Sequence, residues 1–224
     1  MCGRFTLTVH EEEILEHYQL TEPLEDYRPR YNVAPGQWVW GVVRSGEGQQ
    51  MRRFKWGLVP FWAKTPKIGY RTFNARAETV AAKAAFRTAF RRSRVLIAAD
   101  SFFEWKALED KKKQPMRMML KSKEIYSFAG LWDSWKAPDG SVLESCTIIT
   151  TTPNEVVGEV HDRMPVLLPQ AQEQAWLDPD TGEEELLQLL RPYPSQEMFA
   201  YQVSSKVGSV KNDGAYLIEE LNSK

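Results

Sequence analysis

The chain has 224 residues, of which 42% are hydrophobic, 12% aromatic and 26% charged, and its formal net charge is −1. That length can bury a substantial core, and the composition excludes a disordered or fibrous protein; the two cysteines, Cys2 and Cys146, exclude a disulfide scaffold. No apolar run approaches the roughly 18–20 residues of a membrane span, and Glu11, Glu12 and Glu13 do not suit a signal peptide, so a cytoplasmic protein without a membrane partner is expected.

In chain order, RFTLTV predicts a short strand and EEEILEHYQL a helix, with Ile14, Leu15 and Tyr18 at core spacing and His10 and His17 as surface residues. YNVAPGQ turns at Pro35-Gly36 into the strand WVWGVVR, and Gln50 to Leu58 pairs back with it across SGEG. WGLVPFWAKTP is a loop rich in aromatics and proline. From Glu78 to about Arg92 the alanine-rich run ETVAAKAAFRTAFRR predicts a helix, anchored by Phe86 and Phe90, with Lys83, Arg87, Arg91 and Arg94 on a neighbouring stripe. The apolar strand VLIAAD leads into SFFEWK, and KKKQP reads as a turn between the strands MRMMLK and IYSFAGLW. SCTIITTTP is a strand ending in a Pro-Asn turn. The polar loop HDRMP, the buried segment VLL, a helix around Glu183–Leu190 and the strand FAYQVS complete the pattern. Many short strands, few helices and no βαβ alternation predict an α+β protein. We expect a single domain over residues 1–224, with curved, mainly antiparallel β-sheets forming a barrel-like core flanked by helices.

The near-zero net charge conceals segregation. Between Met51 and Arg94 there are twelve Lys and Arg residues and one acid, Glu78, so this segment is +11 and the other 180 residues must carry −12. Such asymmetry suggests a polyanion-binding face, although a solvated basic helix gives the same count.

Candidate chemistry begins at Cys2. If Met1 is removed, Cys2 carries a free α-amine and a thiol on adjacent carbons, with ordinary pKa values of about 7.7–8.0 and about 8.5. An amine condenses with an aldehyde to an imine, onto which the neighbouring thiol closes as a five-membered thiazolidine. Alternatively the thiolate attacks an amide carbonyl with the amine as base, as in N-terminal-nucleophile hydrolases, or Cys2 is an incidental small residue. His161, in a polar loop beside Asp162 and Arg163, suits acid–base display or a structural role. Glu104 lies between Phe103 and Trp105, where apolar surroundings would raise its pKa toward neutrality, unless strand alternation turns it to water. Asn74 reads as a turn or helix-cap residue on local grounds. Trp56 and Trp62, inside the basic segment, could stack unpaired bases or fill the core. No His/Cys spacing suits a metal and no glycine-rich loop suits a phosphate, so no cofactor is expected.

Taken together, MCGRF, RYNVAPGQ, WGLVPFW, FNARAET, FFEWK, HDRMP and VGSVKNDG resemble, in order, the SRAP family of SOS-response-associated peptidases or abasic-site-processing proteins. The resemblance implies covalent attachment to abasic sites in single-stranded DNA through Cys2 after loss of Met1, as a thiazolidine that protects the lesion during the DNA damage response. It implies that Asn74 positions the Cys2 terminus and the opened sugar, that Glu104 is the acid–base for ring opening, and that His161 acts beside the imine. It further implies phosphate contacts by Arg4, Arg76 and Arg163, and base contacts by Trp62 and Trp105. The partner would be single-stranded DNA bound by a monomer, nucleoid-associated when on DNA, with peptidase or lyase chemistry as a secondary activity. Met164 in HDRMP is a local departure of unassigned consequence. Two rivals remain. A class II glutamine amidotransferase also starts MCG, but continues differently from Arg4-Phe5 and is fused to a synthase domain absent here. A passive single-strand-binding module would leave Cys2, Glu104 and His161 without roles.

Overall fold

A computed structural model describes residues 2–46, 48–109 and 112–221. Met1 and its removal therefore lie outside the described residues, as do Glu47 of the SGEG turn and Lys111 of KKKQP. The first part of the chain comprises β1 (Phe5–Leu7), α1 (Glu11–Tyr18), β2 (Arg30–Val33), β3 (Trp38–Ser45), β4 (Gly48–Trp56) and β5 (Asn74–Arg76). Next come α2 (Arg87–Arg92), β6 (Arg94–Ala99), β7 (Ser101–Ala107), β8 (Lys113–Leu120), β9 (Tyr126–Lys136) and β10 (Val142–Thr151). The rest is α3 (Glu155–Gly158), β11 (Met164–Pro165), β12 (Leu167–Leu168), α4 (Gln170–Leu177), α5 (Glu183–Leu189) and β13 (Met198–Gln202). Among the described residues no helix is long and apolar enough to cross a membrane.

The expected α+β class with a barrel-like core is what the chain adopts. β10, β4, β3, β6 and β9 hydrogen-bond in sequence, and β9 pairs back onto β10, closing a five-stranded barrel. Its pairings are antiparallel except β10 with β4, and β5 pairs in parallel with β10 just beyond β4, with Asn74 opposite Ile148. Closure leaves these five strands no free edge within the ring. A second, antiparallel sheet runs β13–β8–β7–β1–β2.

So few strands make a narrow barrel, and two glycines supply the missing width. A Cβ at Gly41 would lie 2.7 Å from Val95 Cγ2, and one at Gly130 would lie 3.0 Å from Ile97 Cγ1, Val95 Cγ1 and the Thr147 carbonyl oxygen. Two apolar layers result. Val39, Phe54, Ile97, Phe128 and Ile148 of the barrel pack with Cys2, Phe5, Phe102 and Met118 of the second sheet. On the other side of the barrel wall, Val42, Leu96 and Leu131 meet Ile14, Phe90, Trp176 and Leu186 of the helices.

The long alanine-rich helix does not form. Residues 77–79 make a 3-10 turn and only Arg87–Arg92 is α-helical. Val80 and Ala89, nine residues apart, would point about 180° from each other on a continuous helix, yet both are buried in one cluster. Burial overrides alanine's propensity of a few tenths of a kcal/mol per residue. Arg94 leaves the expected basic stripe as well: it is buried, and its guanidinium donates to the carbonyls of Phe90, Arg91, Trp176 and Asp178. His17 is not a surface residue, since its side chain is 11% exposed and Nε2 lies 3.0 Å from Glu173 of α4. Helix α4 escapes the apolar pattern because Glu173 occupies a buried position, accepting from Ser127 Oγ at 2.6 Å. Gln114 and Pro115 belong to β8 and not to a turn.

Replacing Gly41 or Gly130 with alanine forces a methyl into the barrel wall. Each is expected to lower unfolding stability by about 1–3 kcal/mol, the usual cost of overpacking, in urea titrations with an unchanged slope. Parental stability in both variants would show that the wall can relax.

Candidate active site

The site begins where the chain begins. Phe5 pairs with Phe102 and Thr6 with Ser101, and the Phe103 amide donates to the Arg4 carbonyl at 3.0 Å, so residues 2–4 run antiparallel beside the centre of β7. A buried polar clamp fixes this register. Asp100 accepts from the Thr6 hydroxyl, and from the Thr8 amide at 2.5 Å and the Thr8 hydroxyl at 2.6 Å. Arg117 of β8 donates from Nε to Ser101 Oγ at 2.8 Å. Cys2 is thereby held at 0% exposure in the apolar cluster that also contains Phe5, Trp56, Ile148 and Met164, the departure within HDRMP.

Glu104 faces inward because both faces of β7 are covered. Phe103 and Trp105 alternate onto the outer face, under Val203, Val207 and Leu217 of the C-terminal segment. Phe102 and Glu104 take the inner face, leaving Glu104 3% exposed. Burial raises its pKa to about 8, against the opposing charge of the chain's amino terminus and with a contribution from Asp162. Cys2 responds more strongly: burial first, then the Glu104 carboxylate, push its thiol well above the ordinary range.

His161 reaches the same place from β11's side of the barrel. The loop leaves α3, which Asn154 caps by accepting from the Val157 amide at 3.0 Å, and it ends in β11 paired to β10. The Arg163 amide and Asp162 Oδ1 both approach His161 Nδ1, each at 3.0 Å, while Nε2 lies 4.0 Å from Glu104 Oε2. Burial, then the positive amino terminus, lowers the His161 pKa despite nearby Asp162, keeping the imidazole neutral near pH 7. Asn74, at the start of β5, donates from Nδ2 to the Phe73 carbonyl at 3.1 Å, while its Oδ1 is buried without a hydrogen-bond partner among the described residues.

The structure thus draws Cys2, Glu104 and His161 together, with Asn74 on the strand that flanks Ile148. The other expected residues are disposed differently. Arg4 is half-buried and donates to the carbonyls of Gly3 and Gly208. Arg76 is exposed. Arg163 makes a bidentate pair with Glu78, at 2.6 and 3.0 Å, and donates to the Thr150 carbonyl at 2.7 Å. Trp62 is 48% exposed, whereas Trp105 is part of the packing under the C-terminal segment. Glu78 is the residue that sequence reasoning undervalued; a single acid among twelve cations was the available signal. It holds the histidine loop against β5.

Residues 1–210 match a family described as "SOS response associated peptidase (SRAP)". The chain is 47% identical over 222 residues to Abasic site processing protein YoqW of Bacillus subtilis, covering 98% of this chain and 99% of that one. It is 46% identical over 225 residues to Abasic site processing protein YoaM of the same organism, covering 99% of each. A solved structure of a protein from Bacteroides thetaiotaomicron superposes with a TM-score of 0.90 at 26% identity, over 98% of this chain and 100% of that one.

The carboxyl of Glu104 sets a pH test. Unfolded, it ionises from about its ordinary 4.5; folded, it keeps its proton to about 8. The folded state therefore binds more protons across that window, and stability falls as pH rises through it. Glu104→Gln keeps the shape without the titration. It should match the parent near pH 4.5 and exceed it by up to a few kcal/mol at pH 8, at about 1.4 kcal/mol per pKa unit. A pH-independent difference in urea titrations would contradict the buried, proton-holding carboxyl.

Proposed function

The chain belongs to the SOS response associated peptidase (SRAP) family, and from that premise we propose that it processes abasic sites in single-stranded DNA by bonding to them through Cys2. The observation that carries this reading is the buried Cys2 in the electrostatic neighbourhood of the buried Glu104, whose Oε2 lies 4.0 Å from His161 Nε2. The names of its relatives point to the same lesion.

An abasic sugar opens to an aldehyde at C1′. Once Met1 is gone, the Cys2 amine adds to that carbon, water leaves and an imine forms. The thiol then adds to the imine carbon while its proton passes to the nitrogen, giving the thiazolidine with no oxidant or reductant consumed. The protonation states suit this order. A thiol held in its neutral form is a poor first nucleophile, so the amine leads. Glu104, protonated over much of the neutral range, donates to the departing oxygen and, once ionised, accepts the thiol proton. His161 brings Nε2 to 4.0 Å from the same carboxyl. The unpartnered Oδ1 of Asn74 supplies an acceptor for an amine or sugar hydroxyl. Burial of Cys2 equally opposes a thiolate-first attack on an amide. These side chains therefore support reaction with an aldehyde better than peptidase or amidotransferase chemistry.

An abasic nucleotide has no base to unstack, so a single strand delivers it at least cost. Arg4 and Arg76 would meet phosphates, and the exposed Trp62 a neighbouring base. Trp105 would present only its uncovered edge. Arg163, engaged by Glu78, contributes by holding His161 in place and reaches a phosphate only as part of that pair. The protein acts as a monomer in this scheme, joining the nucleoid when on DNA.

Intact mass of the purified protein is expected to lack Met1. An oligonucleotide with one abasic site should form an adduct that survives a denaturing gel. Cys2→Ala abolishes it, and Cys2→Ser leaves only an imine that borohydride can trap. Glu104→Ala and His161→Ala should slow formation roughly a hundredfold, the scale of general acid–base assistance. An undiminished adduct with Cys2→Ala would falsify the mechanism.

A further inference from the structure

A second groove lies at the junction of the barrel with the edge of the second sheet, enclosing about 800 Å³. One wall is the open end of the β3–β4 hairpin, where direct cross-strand pairing sets Trp38 opposite Lys55 and Trp40 opposite Arg53. Each cation stands 5.7 Å from the centre of its partner indole. Arg28 and Arg30 line the groove as well, and Asp26 is the one acid among the described lining residues. Arg30 is paired to Asp213, whereas Arg28, Arg53 and Lys55 have no ion pair among the described residues. Trp40 is half-buried and supported by Tyr27, with ring centres 6.3 Å apart, whereas Trp38 is 43% exposed.

A cation on an indole can simply cover surface, worth about 0.5–1 kcal/mol at exposed sites. That reading leaves unexplained why Trp38 stays open and why three cations without an ion pair among the described residues line the same groove. A polyanion whose monomers carry flat faces answers both, and single-stranded nucleic acid is such a ligand. The groove also connects with the Cys2 region. Gly36, Gln37 and Lys55 line it and also line an apolar hollow of about 450 Å³ that reaches Trp56 and Phe73. Trp56 belongs to the same buried cluster as Cys2, and Phe73 precedes Asn74.

We propose that this groove holds the DNA strand on one side of the lesion: a base stacks on Trp38, and Arg28, Arg53 and Lys55 bind its phosphates. The proposal rests on the single-strand reading of the Cys2 site and extends it to a remote subsite. It makes the affinity of intact strands, and not the chemistry at Cys2, depend on these residues.

The probe is fluorescein-labelled oligothymidine without any abasic site, titrated with the full chain and followed by anisotropy at several salt concentrations. Trp38→Ala should weaken binding roughly tenfold, as loss of one stacked base does, and Trp38→Phe should recover most of it. The double variant Arg53→Ala, Lys55→Ala should reduce the slope of log affinity against log salt by about 1.4, for two single-strand phosphates. Adduct formation on an abasic trinucleotide, too short to reach the groove, should match the parent in all variants. Parental affinity and slope in both Trp38→Ala and the double variant would overturn the subsite, whether or not the adduct forms. Trp38-dependent binding of oligothymidine without any adduct on abasic DNA would uphold the subsite and refute the chemistry at Cys2.

Discussion

The antiparallel pairing of the chain's first residues with β7 is the constraint on which the site depends. A terminus ordinarily frays, because nothing offsets the entropy of ordering it. Here the Arg4 carbonyl is bonded by the Phe103 amide, Thr6 and Thr8 converge on Asp100, and Phe5 is enclosed by Trp56 and Phe128. With that register set, Cys2 has no freedom to leave the apolar layer. Its thiol and the Glu104 carboxyl, two groups that would ionise in water, share a space where neither charge is well solvated.

Much of the rest serves to keep β7 covered on both faces. The C-terminal segment closes over Phe103 and Trp105, and it is tied down by residues of β2. Asn32 donates to the carbonyls of Val207, Ser209 and Asn212, and Asp213 accepts from the Tyr31 amide and the Arg30 guanidinium. The blocks RYNVAPGQ and VGSVKNDG are thus two halves of one clasp. FNARAET and HDRMP form a second clasp through Glu78 and Arg163, which fixes the histidine loop beside the carboxyl. Sequence blocks that look like a catalytic inventory are in good part the joints that hold three chemical groups in place.

This explains what could be read from the sequence and what could not. The strands were legible because alternation and β-branched runs mark them, and Glu183–Leu190 and EEEILEHYQL were legible as amphipathic helices. Barrel closure was not, since the pairing of β9 with β10 on one side and β6 on the other leaves no local trace. The alanine-rich run misled because propensity is a property of the segment, while the demand that Val80 and Ala89 both be buried is a property of the fold. At the site, Cys2 and His161 stood out by type and position. The inward orientation of Glu104 was undecidable from alternation alone, because it depends on the C-terminal segment a hundred residues away covering the other face. The pairing of Arg163 was not legible, because its acid partner Glu78 lies in a distant block.

The account stands on one bond set: the lesion carbon joined to both nitrogen and sulfur of Cys2. Carbon-13 NMR of the adduct, with the label at C1′ of the abasic sugar, reads this directly. The predicted signal is a saturated carbon with the chemical shift of one bonded to both nitrogen and sulfur. A persistent imine carbon, or attachment through sulfur alone with a free amine, would contradict it.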